Sequence, residues 1–229
     1  MTTERASRST LVDDVGDHTF ERAWFPSWDY ADALRFLDDT WRSVTAGGPM
    51  CIATGAHDPP VVTLGRHTKV SEVVDERALA ALGARVVRTE RGGGATAHMP
   101  GQIVVYPVVS LARLRLSVPE FTARLLDAAR KTVAPFGVTA EARLDDVGLF
   151  VDGRKIAAVG LRARHQVVTH GLSLNVDADL RIFDAIVPCG MPRRPLTTVR
   201  RECKRPRDFD LPEIQDRLAC EVAAALVVR

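Results

Sequence analysis

The sequence lacks several features that would place the protein in a specialised class. Its 31 Lys and Arg residues against 29 Asp and Glu leave a formal net charge of only +2, so no global positive field points to nucleic acid as a partner. No run of about 18 apolar residues is present, which predicts that no helix crosses a membrane. The N-terminal segment has no apolar stretch of the kind that a secretory signal requires. We therefore expect a cytoplasmic protein with neither a nucleic acid nor a membrane as its partner.

Cysteine is scarce as well. The four cysteines, Cys51, Cys189, Cys203 and Cys220, form no CxxC pair and have no zinc-type spacing with the six histidines. The chain also has no Walker loop for a nucleotide. These absences predict a reduced, metal-free protein that uses no cofactor.

No internal repeat or low-complexity linker divides the chain. A length of 229 residues fits one domain, and a hydrophobic content of 46% is enough for a core. We predict a disordered leader over residues 1–20 and a single domain over residues 21–229. Strands and helices mix without a regular βαβ rhythm, which favours an α+β fold with helices packed on a mixed sheet.

Periodicity and capping signals predict the individual elements. Apolar positions at helical spacing predict a helix that Ser27 caps, another that begins with a capping box at Ser117–Glu120, and a terminal helix from Asp210. A weaker pattern predicts a helix over residues 71–82, and a short helix is expected before Pro188. Apolar runs predict strands over residues 51–54, 61–64, 85–89, 103–109, 147–151, 155–161 and 172–176. Between the fifth and sixth of these strands, an Asp-Gly pair predicts a type I′ hairpin turn.

The stretch from Arg91 to Tyr106 combines unusual flexibility with chemical groups. Three consecutive glycines, Gly92–Gly94, allow backbone N–H groups to approach a ligand closely. Thr96 and His98 follow, and the chain then enters an apolar strand. This pattern is typical of a binding loop anchored to a rigid element, although composition alone fits a glycine-rich surface hairpin equally well.

Two further side chains could carry chemistry. Cys189 lies between Pro188 and Gly190, where neither a helix nor a strand continues easily, so its thiol is more exposable than one on an apolar stripe. Free cysteines are nevertheless more often inert core residues. Lys155 opens an apolar strand, where a lysine usually extends to water. If it turned inward beside a thiol, its charge would favour the thiolate.

Other candidates admit a structural and a functional interpretation. His98 and His170 each have a nearby glycine, and a lone histidine is more often a structural residue with satisfied hydrogen bonds. The segment over residues 193–207 contains a cluster of cations, formed by Arg193, Arg194, Arg200, Arg201, Lys204, Arg205 and Arg207, against only one acidic residue, Glu202. It is either a solvated loop or a docking site for an acidic partner.

In this order, the motifs resemble one family closely, the octanoyltransferases of lipoate biosynthesis, also called lipoyl(octanoyl) transferases. The resemblance covers roughly residues 25 to 200. Its motifs are RGGxxTxHxxGQxxxY over residues 91–106, GRKIAAxG over 153–160, THGLxLNV over 169–176 and FxxIxPCG over 183–190. An upstream match, PPVxTxGR, covers residues 59–66.

The resemblance implies an α+β fold similar to the biotin and lipoate protein ligase catalytic domain. It also implies transfer of an octanoyl group from octanoyl-acyl carrier protein to a specific lysine of lipoyl domains, those of 2-oxoacid dehydrogenases and the glycine cleavage H protein. Cys189 would form the acyl thioester, Lys155 would lower the pKa of the Cys189 thiol, and His170 would support the site. The residues implied to line the acyl site are Arg91, Gly92, Gly93, Gly94, Ala95, Thr96, Ala97, His98, Ala158, Val159, Gly160, Gly171, Leu172 and Ser173.

Local departures from the family pattern occur at Ala97, Met99 and Val62, where members usually have an aromatic residue or histidine, a glycine and an aromatic residue, respectively. We expect Ala97 and Met99 to affect the shape of the pocket and thus the preferred chain length. Two other functions remain open from the residues: an ATP-dependent lipoate or biotin ligase, and a non-catalytic protein that binds acyl carrier protein or lipoyl domains. Hydrolysis of the thioester as a side reaction also remains open.

Overall fold

The structure is a computed structural model that describes residues 9–15, 18–69, 75–187, 195–204 and 210–227, and for residues 9–15 it describes only the backbone. Its strands are β1 (Ser9–Val15), β2 (His18–Trp24), β3 (Met50–Gly55), β4 (Val61–Leu64), β5 (Arg85–Arg88), β6 (Ala95–His98), β7 (Gln102–Ser110), β8 (Glu141–Arg143), β9 (Gly148–Val151), β10 (Arg154–Arg164) and β11 (Val167–Asn175). Its α-helices are α1 (Tyr30–Thr45), α2 (Glu76–Ala81), α3 (Leu111–Leu114), α4 (Val118–Val133), α5 (Val199–Glu202) and α6 (Leu211–Val227). A 3₁₀ helix covers Leu180–Ala185.

The strands form two sheets. In the larger sheet the order is β1-β2-β3-β7-β11-β10-β9-β8, and in the smaller sheet it is β5-β4-β6. Strands β2 and β3 pair in parallel, as do β4 and β5, whereas the other pairs are antiparallel. The predicted α+β fold with a mixed sheet and packed helices is therefore confirmed.

Each sheet is associated with its own apolar cluster. The larger cluster buries the strands of the large sheet against α1, α4 and α6, with Phe20, Phe121 and Leu218 fully enclosed. The smaller cluster lies between the small sheet, α2 and the 3₁₀ helix, and includes Leu79 and Ile182. The glycine loop leaves the small sheet at β5 and returns to it at β6, and its Gly92 N–H donates to the Leu161 carbonyl of β10, so it links the two sheets.

Several local predictions are confirmed by the backbone. Ser117 and Glu120 form the capping box at the start of α4. Asp152 and Gly153 both have positive φ, 47° and 79°, as a type I′ turn requires. Strand β7 extends the predicted run by one residue at each end because the whole segment is buried between neighbouring strands.

Other predictions need correction. The N-cap of α1 is Asp29, whose carboxylate accepts a hydrogen bond from the Ala31 N–H, rather than Ser27. Helix α2 begins only at Glu76, after its cap Asp75, and the predicted start at residue 71 lies outside the described residues. Residues 9–15 and 18–20 are not a disordered leader, since they form strands, and Phe20 is buried in the core. The single domain over residues 21–229 stays a prediction.

Candidate active site

Strands β10 and β11 form one long wall of the candidate site. They pair antiparallel, with Gly160 opposite Gly171 and Ala157 opposite Leu174. Lys155 is near the start of β10, and Gly160 follows five residues later, or roughly 16 Å along an extended strand. The wall is therefore long and narrow, with Lys155 at one end and the paired glycines toward the other.

The glycine loop is fixed against this wall by its own backbone. The Gly92 N–H donates to the Leu161 carbonyl at 2.8 Å. From the other side, the turn after β4 donates two hydrogen bonds, Arg66 N–H to Arg91 O at 3.0 Å and His67 N–H to Gly93 O at 3.2 Å. These three bonds hold the loop in one position, so the predicted binding loop is a rigid part of the site.

Arg91 occupies the interior of this arrangement, with 5% of its surface exposed. Its guanidinium donates to the Thr63 hydroxyl and carbonyl at 2.6–3.0 Å and to the Gly92 carbonyl at 3.0 Å. A Cβ on Gly65 would lie 2.8 Å from Arg91 Nη1, and one on Gly160 would lie 3.2 Å from its Cδ. The two glycines thus leave room for the arginine, which ties the loop to the small sheet.

The loop and the wall enclose a cavity of about 490 Å³, including its open mouth. Most of the residues predicted to line an acyl site surround it. The lining consists of Tyr30, Arg91, Gly92, Gly93, Thr96, His98, Val104, Tyr106, Ala158, Val159, Gly160, His170, Gly171, Leu172 and Ser173. We call this space the acyl cavity.

Three predicted residues are absent from that lining. Side chains alternate along β6, so Thr96 and His98 face the acyl cavity whereas Ala95 and Ala97 pack into the smaller apolar cluster. Ala95 lines the neighbouring cavity instead. The Gly94 carbonyl accepts a hydrogen bond from the Gly65 N–H. The structure thus does not place Gly94 or Ala97 against the acyl cavity, and Met99 packs in the smaller cluster with Ala97.

A second cavity, of about 470 Å³, continues from the first toward Lys155. The two linings share Thr96, Ala158, Val159 and Ser173, so the cavities adjoin along β10 and β11. We call the second space the lysine cavity. Among the residues that line it are Lys155, Val147, Asn175, Phe183 and Leu196.

Lys155 turns inward, and only 6% of its surface is exposed. Its Nζ donates to Asp146 Oδ1 and to the Val147 carbonyl, both at 3.0 Å, and lies 5.0 Å from the centre of the Phe150 ring. A Cβ on Gly148 would lie 2.6 Å from Lys155 Cε and 2.9 Å from Nζ. Of the two orientations that the sequence left open for this lysine, the structure has the inward one, because a carboxylate and a missing side chain make that position available.

The backbone of Lys155 brings another segment to the site. The Lys155 N–H donates to the Pro195 carbonyl at 2.9 Å, and the Lys155 carbonyl accepts from the Thr197 N–H at 3.1 Å. Beyond this contact, the Thr197 hydroxyl donates to Glu202, which forms a two-pronged ion pair with Arg154 at 3.0 Å. The segment from Pro195 to Thr197 is thus anchored directly beside Lys155.

His170 has an unusual backbone. Its φ is 61°, in the left-handed region that residues other than glycine rarely adopt. The next residue, Gly171, packs so closely on β7 that a Cβ would lie 2.0 Å from the Val105 carbonyl oxygen. The His170 ring lines the acyl cavity, with Nε2 3.2 Å from Thr89 Oγ1 and Nδ1 3.3 Å from Thr169 Oγ1. Strain of this kind is commonly found at functional sites.

The rings of Tyr30, His98, Tyr106 and His170 line the acyl cavity but not the lysine cavity, and His57 contacts three of them without lining the cavity. We call this part of the cavity the ring end. His57 Nδ1 lies 3.2 Å from the Trp28 carbonyl, to which it can only donate, so its Nε2 accepts from the Tyr106 hydroxyl at 2.7 Å. Burial lowers the pKa of His57 to about 4. Burial also raises the pKa of Tyr106 well above its usual value. At neutral pH these two groups are therefore uncharged.

The other two histidines at this end are neutral for similar reasons. Burial, followed by the charge of nearby Arg91, lowers the pKa of His170 to about 3. For His98, burial and the neighbouring His57 lower the pKa to about 3, against the opposing effect of its hydrogen bond to Gln102. The cavity end therefore presents uncharged ring faces, a suitable surface for a hydrocarbon chain.

A series of hydrogen-bonded side chains connects the linings of the two cavities. Gln102 Oε1 lies 2.8 Å from His98 Nδ1, and its amide nitrogen donates to Asn175 Oδ1 at 2.9 Å. Asn175 in turn donates to the Thr197 carbonyl at 3.2 Å. These bonds position His98 and the segment beside Lys155 relative to one another.

Sequence reasoning did not include Tyr30, Val104 and Tyr106 in the lining. Tyr106 ends the first family motif, and its position there was the available signal. Val104 is one residue of an apolar run and shows no separate signal. Tyr30 belongs to a helix far from the loop in sequence, so only the tertiary fold brings it to the cavity.

Some predicted residues lie outside the described part of the chain. They include Cys189, with its neighbours Pro188 and Gly190, and four members of the basic cluster, Arg193, Arg194, Arg205 and Arg207. Within the described residues, no group of three or more His, Cys, Asp or Glu side chains is arranged to hold a metal ion. No helix in that part of the chain has the length and apolarity needed to cross a membrane.

Comparison with known proteins identifies the family. The model of the lipoyl protein ligase A/B catalytic domain matches residues 29–223. An octanoyltransferase of Bacteroides fragilis is 34% identical over 95% of this chain and 98% of its own, and one of Maridesulfovibrio salexigens is 41% identical over 63% of this chain and 68% of its own. A lipoate protein ligase from Thermoplasma acidophilum has a similar fold, with a TM-score of 0.70 at 18% identity over 90% of this chain and 82% of that one. The chain therefore belongs to the octanoyltransferases, within the family of lipoyl protein ligase A/B catalytic domains.

Proposed function

We propose that this protein transfers an octanoyl group from octanoyl-acyl carrier protein to a lysine of a lipoyl domain through a thioester on Cys189. The observation that carries the proposal is the buried amine of Lys155 in a cavity that shares lining residues with the acyl cavity. The acyl cavity and the lysine cavity adjoin, so an acyl chain held against the rings would present its carbonyl toward Lys155. The PCG motif at residues 188–190 supplies the nucleophile.

The first half-reaction exchanges one thioester for another. The Cys189 thiolate attacks the octanoyl carbonyl, a new C–S bond forms, and the C–S bond to the carrier breaks. The carrier thiolate then leaves and takes a proton from Lys155. The energies of the two thioesters are similar, so this step needs no ATP.

In the second half-reaction the acceptor amine attacks the enzyme thioester. Lys155, neutral after the first proton transfer, removes a proton from that amine, an amide bond forms, and Cys189 leaves as a thiolate. Backbone N–H groups of the glycine-rich turns would stabilise the oxyanion in both steps, a contribution of roughly 3–4 kcal/mol for each donor. Asp146 and the Val147 carbonyl hold the Lys155 amine in place throughout.

The lining suits an acyl chain more than a charged ligand. Ala158, Val159 and Leu172 supply apolar surface, and burial of each methylene contributes about 0.8 kcal/mol to binding. The rings at the far end are uncharged at neutral pH. Arg91 is engaged by Thr63 and the Gly92 carbonyl.

We propose that the acceptors are the lipoyl domains of 2-oxoacid dehydrogenases and the glycine cleavage H protein. Acyl carrier protein, which is typically acidic, would dock on the basic cluster over residues 193–207. Of that cluster, Arg200, Arg201 and Lys204 are exposed in the described residues, and Arg200 pairs with Asp177 at 2.6 Å. This surface adjoins the Lys155 end of the site, because Thr197 contacts the Lys155 backbone.

The test is intact-mass spectrometry after incubation with octanoyl-acyl carrier protein and no ATP. We expect one octanoyl adduct on the wild-type protein, none on Cys189→Ala, and an unchanged adduct on the matched controls Cys51→Ala, Cys203→Ala and Cys220→Ala. Addition of a lipoyl domain should move the octanoyl group to that domain.

Three outcomes would overturn the proposal. An adduct that persists on Cys189→Ala would remove the assigned nucleophile. A requirement for ATP would indicate the ligase reaction instead. Binding of both partner proteins without any acyl transfer would indicate a non-catalytic protein.

A further inference from the structure

Tyr30 separates two cavities of the protein. One side of the residue lines the acyl cavity. The other lines a space of about 340 Å³ that also involves Leu34, Pro59, Pro60 and Val87. We call this second space the outer cavity. It lies beyond the acyl cavity, with Tyr30 common to both linings.

Tyr30 belongs to the part of the acyl cavity that the lysine cavity does not share. The residues shared with the lysine cavity, such as Ala158 and Ser173, lie in the middle of the combined space. Tyr30 lines the acyl cavity but not the lysine cavity. A chain that starts at Lys155 and passes Ala158 therefore meets Tyr30 only after it has entered the acyl cavity.

The Tyr30 ring is held firmly in that position. Tyr30 is the first residue of α1, directly after the cap Asp29. Its ring centre lies 5.2 Å from that of His57 in an edge-on contact and 6.3 Å from that of His98 in a stacked one. Its hydroxyl donates to Thr89 Oγ1 at 3.5 Å. With 5% of its surface exposed, Tyr30 is a buried partition between the two spaces.

We infer that Tyr30 determines the longest acyl chain that the enzyme accepts, by closing the acyl cavity where the terminal methyl group of the chain ends. Removing the ring joins the acyl cavity to the outer cavity and lets a longer chain continue past α1. This inference rests on the proposed function, since it assumes an acyl chain with its carbonyl toward Lys155. It assigns chain-length selection to Tyr30, whereas Ala97 and Met99 pack in the smaller apolar cluster.

The test compares acylation of Cys189 by thioesters of increasing chain length. Each substrate is an acyl thioester with six to fourteen carbons, and intact-mass spectrometry gives the rate of adduct formation. For Tyr30→Ala we expect the preferred chain to lengthen from eight carbons to ten or more. Since each buried methylene contributes about 0.8 kcal/mol, or about a factor of four, two extra methylenes should raise the ten-to-eight-carbon rate ratio on the order of tenfold.

Two matched variants isolate the partition from its surroundings. Tyr30→Phe keeps the ring and loses only the hydroxyl, so it should keep the wild-type preference. Leu34→Ala enlarges the outer cavity without opening the partition, because Leu34 lines that cavity and not the acyl cavity. It should also keep the wild-type preference.

The possible results separate this inference from the proposed function. If the wild-type protein forms no adduct with any thioester, the proposed function fails. If it does form the octanoyl adduct and folded Tyr30→Ala keeps the eight-carbon preference, the assignment of Tyr30 is overturned. If circular dichroism shows that the alanine variant does not fold, the same measurement is made on Tyr30→Leu, because the leucine side chain is also shorter than that of tyrosine. An equal shift in Leu34→Ala would likewise contradict the partition.

Discussion

The two ends of the combined cavity are both buried, yet their ionisable side chains differ in charge partners and in protonation at neutral pH. At the lysine end, Lys155 keeps a carboxylate partner, Asp146, and a carbonyl within 3.0 Å. At the ring end, His57, His98 and His170 have pKa values lowered to about 4, 3 and 3. Burial disfavours a charge in both places. Asp146 offsets this for Lys155, whereas the charge of nearby Arg91 further lowers the pKa values of His98 and His170.

This difference assigns separate tasks to the two ends. An amine that exchanges protons needs a partner for its charged form, and Asp146 provides one. For the proposed acyl chain, the ring end offers rings that are uncharged at neutral pH and whose polar atoms are hydrogen-bonded to one another or to neighbouring Thr and Gln side chains.

Replacing the amine should have the largest effect. Lys155→Met removes the charge and the proton donor, and transfer should fall by about 10²–10⁴-fold. Without the nearby cation, thiolate formation at Cys189 should also move to higher pH. Alkylation by iodoacetamide, followed against pH, measures the second effect. A wild-type alkylation profile in Lys155→Met would show that this lysine does not tune the cysteine.

Lys155→Arg completes the test, since arginine keeps the charge but cannot release a proton near neutral pH. This variant should keep a reactive thiolate and still fail to deprotonate the acceptor amine. Separate timing of enzyme acylation and of transfer to the lipoyl domain distinguishes the two steps.

Gly148→Ala should displace the same amine without removing it. The new Cβ would lie 2.6 Å from Lys155 Cε, so the side chain must move, and a misplacement of about 1 Å can cost on the order of 10²-fold in rate. The control is the double variant with Lys155→Met. If Gly148 acts through the lysine, the double variant should be no slower than Lys155→Met alone. Additive losses would point to damage to the sheet, since the Cβ would also lie 2.8 Å from the Ala157 carbonyl oxygen.

Acid should weaken the fold at the ring end. The pKa of each buried histidine is lower in the folded protein than its ordinary value of 6.5. The unfolded chain therefore takes up protons first, and the stabilising effect, complete above pH 6.5, is lost as the pH falls toward 3–4. Each histidine should lower the free energy of unfolding by about 1.4 kcal/mol per pH unit within that window.

The variant His170→Asn tests this pH dependence by denaturant unfolding between pH 7.5 and about 4.5. Asparagine is chosen because it tolerates the left-handed backbone at this position. The variant should reduce the slope of the free energy of unfolding against pH by the contribution of one histidine. His165→Asn is the matched control, with a φ of 50° at an exposed position. A slope unchanged in His170→Asn would mean that this histidine is not held neutral by the fold.

The smallest effect is expected from surface charge. Reversing Arg201 and Lys204 to Glu should slow acylation by the acidic carrier protein severalfold and leave acylation by a small octanoyl thioester unchanged, because such charges act mainly on association and are screened by salt. The control is the same reversal of Arg35 and Arg42. Both residues lie on α1, the helix whose first residue closes the ring end. Equal slowing with both donors would count against docking at the lysine end.

Local chemistry made much of the fold predictable from sequence. The capping box at Ser117, the Asp152-Gly153 turn and the apolar run of β7 depend on neighbours within a few residues, so the sequence indicates them directly. The Ser27 cap was wrong because Asp29, two residues later, offers a carboxylate to the same helix end. For residues 9–15 and 18–20, the described part of the predicted leader, disorder was the wrong prediction because β1 pairs with β2 and β2 with β3 only in the tertiary fold.

For the site, the sequence by itself determined which chemical groups the protein has: a glycine loop with Arg91, a lysine after a tight turn, and a Pro-Cys-Gly motif, in an order that identifies the family. Only the tertiary structure decided how the described groups are used. It turned Lys155 inward, because Asp146 and the absent side chain of Gly148 come together around it. It also placed Tyr30 at the end of the acyl cavity. Neither result could be read from the chain, since burial and electrostatic partners arise from segments that meet only when the sheets pack.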